Sequence, residues 1–169
     1  MESMKHLYAK NKAIKILRDS PINAGFDFAR PLVNGDFEAS CTVYLQPYSE
    51  YPLCFGSSGE IIGIQPHWLD LIGRIPAYKE CVARGLLPFL IFDIGLLFFS
   101  GTSNAHLHAA IEVEYKNPVS AEKLAYLPQI MKGGKFGALC ICTADTVLRH
   151  GLLYSKRYFS DGKGGFYAA

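Results

Sequence analysis

The segment Ala105–Lys116, AHLHAAIEVEYK, alternates with a period of two. Leu107, Ala109, Ile111, Val113 and Tyr115 fall on one side, and His106, His108, Ala110, Glu112, Glu114 and Lys116 on the other. A β-strand imposes that period, because successive side chains leave its backbone on opposite faces. The segment is therefore expected to be a strand with one face on an apolar core and one polar face. The polar face gathers two imidazoles and two carboxylates within about 20–27 Å of strand. A chemical site in this protein is expected on that wall.

Elements before and after this strand set the fold class. Residues 2–18 carry Met4, Leu7, Tyr8, Ile14 and Leu17 at helical spacing, and Asp19-Ser20-Pro21 stops the run. The other face of this helix is basic (Lys5, Lys12, Lys15, Arg18) and reads as solvated, with docking to an acidic partner or membrane surface as the alternative. Residues 20–40 are irregular. Strands are expected at Cys41–Leu45, Tyr51–Phe55 and Glu60–Ile64, with a tight hairpin at Gly56–Gly59. That glycine run has no helix N-terminus and no Lys-Ser/Thr after it, which argues against a phosphate cradle. Pro66–Ile72 and the stretch from Pro76 to Gly85 read as a helical insertion, with Trp68 as an anchor.

A meander is expected next: Leu87–Phe92, a turn at Asp93-Ile94-Gly95, Leu96–Ser100, a turn at Gly101–Asn104, then the alternating strand. The first two strands are apolar on both faces, so they are central. Residues 119–131 read as a short helix or loop, Gly137–Thr143 as a strand, and Thr146–Phe159 as a strand or strand pair. Together these give one α+β domain over residues 1–159. It has an N-terminal helix, a helical insertion and a mostly antiparallel sheet of about six to eight strands, open or closed into a half-barrel. Residues 160–169, with Gly162, Gly164 and Gly165, read as a flexible tail.

Composition narrows the function classes. The 169 residues are half hydrophobic and 13% aromatic, so a packed core is expected rather than disorder. A net charge of +2 is too small to make nucleic acid or an anionic membrane the main partner. Five cysteines without a Cys-x-x-Cys point to a reducing compartment. Leu86–Phe99 is greasy but short, and it is interrupted by Pro88, Asp93 and Gly95, so no transmembrane segment is expected. No secretory signal is visible, and the chain reads as soluble and cytoplasmic.

Several side chains are candidates for chemistry. His106, His108 and Glu112 have metal-ligand spacing on a strand, and two imidazoles with a carboxylate suit a divalent transition metal such as Zn, Fe, Ni or Mn. Without metal, Glu112 and His108 could serve as an acid–base pair. The alternative is a wet strand face. Asp93 reads as the first residue of a hairpin turn, the alternative being a desolvated carboxyl with a raised pKa. Cys140 and Cys142 read as packing residues. Asp145, Arg149 and His150 read as a surface turn, with anion binding as the alternative.

Gly101 followed by HLHAAIE resembles the first motif of the cupins. That resemblance implies a metal held by His106, His108 and Glu112, with His150 as the third histidine. Residues 143–149 lack the Pro-x-Gly that the second cupin motif carries. A wider resemblance runs through VYL at Val43–Leu45, QPHWL at Gln65–Leu69, KECVARGLL at Lys79–Leu87, FFSGTSNAHLHA at Phe98–Ala109 and VLRHG at Val147–Gly151. This order is similar to the plast proteins, the RolB/RolC-type family of T-DNA-encoded plant growth modifiers. It implies an effector or interaction protein in the host-cell cytoplasm or nucleus. Such a protein alters hormone response or growth by binding a protein or small-molecule partner. Glucosidase activity has been proposed for some members. Here Glu112 and Glu114, some 6–7 Å apart along one strand face, would both approach a sugar from the same side, which is poor geometry for that reaction.

Overall fold

The computed structural model describes residues 3–19, 43–55, 61–63, 76–100, 104–125, 136–160 and 166–168. The helix expected at Pro66–Ile72, Trp68, the turns at 56–59 and 132–135, and Cys41 lie outside the described residues. The elements in order are α1 (Met4–Asp19), β1 (Val43–Phe55), β2 (Ile61–Gly63), α2 (Ala77–Ala83), β3 (Pro88–Ser100) and β4 (Asn104–Glu114). They are followed by α3 (described over 121–125), β5 (Phe136–Thr143), α4 (Ala144–His150), β6 (Lys156–Ser160) and β7 (Phe166–Ala168). The seven strands form one sheet in the order β2-β1-β3-β4-β5-β6-β7. Five of the six pairings are antiparallel, and β4–β5 is parallel. The fold is α+β with an N-terminal helix and a mostly antiparallel sheet. Among the described residues the sheet is open, with β2 and β7 at its ends, and not closed into a half-barrel. No described helix is long and apolar enough to cross a membrane.

Two apolar clusters lie on opposite faces of the sheet. Ile94, Leu96, Ala109, Ile111, Val113, Cys140 and Cys142 pack against Ala9, Ala13 and Leu17 of α1 and Ala144 and Val147 of α4. Leu90, Phe92, Leu97, Ala110 and Leu139 pack with Tyr48, Tyr51, Leu53 and Cys54 of β1, under Ala77 and Cys81 of α2. Both faces of β4 are therefore covered. Ala110 and Glu112, expected on a wet face, are buried. A central strand between helical layers has no wet side.

The buried stripe of α1 is Ala9, Lys10, Ala13 and Leu17, whereas Met4, Leu7 and Tyr8 are exposed. Small alanines let the helix axis approach the sheet closely, so Met4, Leu7 and Tyr8 point away while Leu17 is buried and Ile14 packs against the core. Part of the basic face is also occupied. Lys12 Nζ donates to the Leu148 carbonyl at 2.6 Å, and Lys5 pairs with Asp145 in the first turn of α4.

Helix α4 replaces the strand expected from Thr146. Its start and stop are local. Thr143 Oγ1 accepts from the Thr146 amide at 3.1 Å, Asp145 lies in the first turn, and Gly151 closes the end at φ 71° with its amide on the Val147 carbonyl. Thr143→Ala removes this cap and is expected to cost about 1 kcal/mol in a urea titration; an unchanged midpoint would mean that the cap contributes nothing. Farther on, Phe166–Ala168 pairs with Tyr158–Ser160, so a paired edge strand stands where the sequence suggested a flexible tail.

The largest difference concerns β1 and β3, each read as two short strands. Both run unbroken for 13 residues and pair with each other along most of their length. No turn forms at Asp93-Ile94-Gly95. Instead β3 kinks. Phe92 packs on one face and Ile94 on the other, although residues two apart in a regular strand share a face. The partner strand kinks opposite, where Glu50 takes φ 51° and Tyr48 and Tyr51 pack on the same side. The polar residue in the greasy run marks this double kink.

Candidate functional site

The double kink aims two carboxylates at α1. Asp93, on β3, accepts the Val113 amide of β4 at 2.8 Å through Oδ2, so a side chain supplies an acceptor to the neighbouring strand. Its carboxylate also lies 3.7 Å from Lys10 Nζ and 3.5 Å from His6 Nε2. Lys10 reaches Glu50 at 3.6 Å as well. This lysine is only 4% exposed. A buried ammonium needs compensating charge, and two carboxylates from two strands supply it.

Glu112 extends the network to the other layer of the fold. It sits on β4, is 7% exposed, and pairs with Lys123 of α3. The Asp93 carboxylate lies close enough to act on it by charge repulsion. Ser120 caps α3 by accepting the Lys123 amide at 3.2 Å, which places Lys123 in the first turn and above the sheet. The lysine ammonium rests 5.5 Å from the Phe92 ring centre. Glu114 Oε1 accepts the Val119 amide at 2.9 Å and holds the connection between β4 and α3.

Burial pushes the Glu112 carboxyl up to about 7, and the neighbouring Asp93 charge adds to the rise, while Lys123 opposes it. Near neutral pH the group is thus divided between acid and carboxylate.

A cleft of about 410 Å³ opens over this network. Ser3, which accepts the His6 amide just before α1, and His6 form one side, Asp93 and Glu112 the base, and residues 113–120 with Lys123 the other side. The cleft thus lies where β4 leaves the sheet.

Glu112 and His150 do not line the same cleft. Glu112 is in the cleft. His150 is exposed at the end of α4, its ring edge-on to Tyr154 at 5.4 Å, and it does not line the cleft. His106 and His108 lie on β4, but their side chains lie outside the described residues. Leu96 pairs with Ala109 and Leu97 with Leu107, so His108 is an extra residue at a bulge. The period that would carry the Glu112 face back to His106 is interrupted there. Among the described residues no three His, Cys, Asp or Glu side chains converge as metal ligands. Glu112 is engaged by Lys123, and His150 stands at the exposed end of α4.

The sequence reading missed Lys10, Glu50, His6 and Lys123. One signal was available: Asp93 in a run of apolar residues is costly unless it is paired. Its partners come from α1 and β4, and the rest of the network from β1 and α3, and no local pattern names them. No family model, curated protein or solved structure matches the chain.

Proposed function

We propose that this chain acts by binding, as an effector or interaction protein, and that the cleft at the end of β4 is where it takes a small ligand. The carrying observation is the polar cleft whose base is the Asp93–Glu112 carboxyl pair, flanked by Lys123 and His6. A ligand carboxylate that replaces Glu112 as the partner of Lys123 would leave Glu112 to keep a proton. The ligand class favoured is therefore a small weak acid, bound with uptake of one proton. The plast-like order of segments supports a reading in which such binding serves the control of hormone response or growth in a plant cell.

Glycoside hydrolysis is not supported at this pair. Glu112 is tied to Lys123 and Asp93 to Lys10 and the Val113 amide, both at the base of one cleft, whereas the reaction needs two carboxyls flanking the bond. Acid–base use of Glu112 without metal is the second reading, favoured by its raised pKa.

The test is a two-dimensional NMR titration with benzoate and, separately, benzylamine. Benzoate is expected to shift the amides of residues 112–123, more strongly at pH 6 than at pH 8, and Lys123→Met is expected to weaken it at least tenfold. Shifts with benzylamine alone, or with neither probe, would reject the weak-acid reading. In plant cells, wild-type chain is expected to change growth and Lys123→Met to lose that effect. A wild-type chain without effect would remove the growth reading.

A further inference from the structure

We propose that Cys54 and Cys81 form a reversible disulfide that fastens α2 to β1, made by exchange with a small-molecule disulfide of the glutathione class. Their Sγ atoms lie 3.0 Å apart, in hydrogen-bond contact, although the residues are 27 positions apart in the chain. Both are free thiols and almost completely buried. The register of β1 against β3 shifts between Leu53 and Cys54, and both residues pack into the cluster beneath α2. That irregularity turns Cys54 toward the helix, where an unbroken alternation would have sent it to the other face. Cys140 and Cys142 belong to the opposite cluster, so the two thiols facing each other are a local pair.

The exchange takes two steps. One cysteine thiolate attacks a sulfur of the small disulfide, forming a mixed disulfide and releasing one small thiolate. The second cysteine thiolate then attacks the protein sulfur of that bond, forming the Cys54–Cys81 bond and releasing the second small thiolate. The two protons lost by the cysteines are taken up by the released thiolates. The two cysteines are oxidised, and one small disulfide is reduced to two thiols.

Burial sets the rate. It pushes the Cys81 thiol up to about 12 and raises Cys54 as well, so neither is a thiolate while α2 is seated. Helix α2 has seven residues, with Val82, Ala83 and Arg84 exposed at its end. So short an element opens locally at lower cost than the central strands. Exchange is therefore gated by lifting of α2 and should accelerate in urea below the unfolding transition.

The experiment equilibrates the full chain in oxidised and reduced glutathione, alkylates free thiols and maps peptides without reduction. The expected result is a loss of two hydrogens, a linked pair of peptides containing Cys54 and Cys81, and a melting temperature raised by roughly 5–10 °C. Cys54→Ser and Cys81→Ser should each abolish the link, and Cys41→Ser should leave it intact. If a serine variant does not fold, the wild-type peptide map decides. The proposal is overturned if Cys54 and Cys81 remain alkylated in a mixture that oxidises dithiothreitol. It is equally overturned if either is found joined to Cys41.

Discussion

Gly95→Ala is expected to destabilise the protein by about 1–3 kcal/mol, a large effect for one methyl group. A Cβ at Gly95 would lie 2.5 Å from Tyr51 Cβ and 2.7 Å from Tyr51 Cδ2. Real Cβ atoms do not approach so closely, and the obstacle includes the root of the Tyr51 side chain, which cannot swing aside without moving β1. Tyr51 is itself buried, opposite Phe92 in the register. Gly95 is not among the glycines with positive φ, so the cost arises from space and not from backbone conformation. A double-mutant cycle separates these causes. Tyr51→Ala alone opens a cavity, at about 3–5 kcal/mol by analogy with other large aromatic truncations. In the Gly95→Ala background the same truncation removes the Cδ2 contact while the Cβ remains 2.5 Å away, so it relieves part of the clash and should cost about 0.5–3 kcal/mol less. Additive urea midpoints for the two changes would contradict the close packing of β1 on β3.

Glu112→Gln is expected to alter the pH dependence of stability more than any other single change. In the folded protein the Glu112 carboxyl is raised to about 7, against an ordinary value of 4.5. The folded state therefore holds a proton that the unfolded chain has lost between those pH values. Stability from this group is fully present below about 4.5 and is lost as pH rises through about 7. A gap of about 2.5 in pKa corresponds to at most about 3 kcal/mol between those limits. Glutamine cannot titrate and keeps the size of the side chain, so the variant should lose that slope. Urea unfolding of both proteins at pH 5, 6, 7 and 8 measures it. The stability of the wild type minus that of the variant is expected to fall steadily across the series. Parallel curves would mean that Glu112 is exposed and ordinary, and the buried carboxyl pair would be lost with it.

These two positions bracket how far the sequence could be read. Gly95 and Asp93 were visible as interruptions of an apolar run, and interruption ordinarily signals a turn. Here both long strands have a partner along most of their length, and ladder hydrogen bonds across 13 residues outweigh the local preference of three. Glu112 was visible as a carboxylate on the alternating strand. Its expected companions, His106 and His108, follow from an unbroken period of two, and the bulge at His108 breaks that period. Thr143 and Gly151 show the reverse case. The cap residues of α4 were present in the sequence, but the apolar spacing around Val147 was read as extended.

What the chain's own sequence determined is local: the strand period of Ala109–Val113, the helix that ends near Asp19, the continuous hydrophobicity of central strands, and hence the α+β class with a mostly antiparallel sheet. What only the tertiary structure decided is which polar side chains meet. Lys10, Glu50, Asp93, Glu112 and Lys123 come from α1, β1, β3, β4 and α3, and nothing in their spacing predicts that they share one network. The physical reason is that hydrophobic periodicity is set by a strand or helix acting alone. Buried charges, by contrast, are chosen by neighbours distant in sequence, because a charge removed from water must find its compensation wherever the packed chain supplies it.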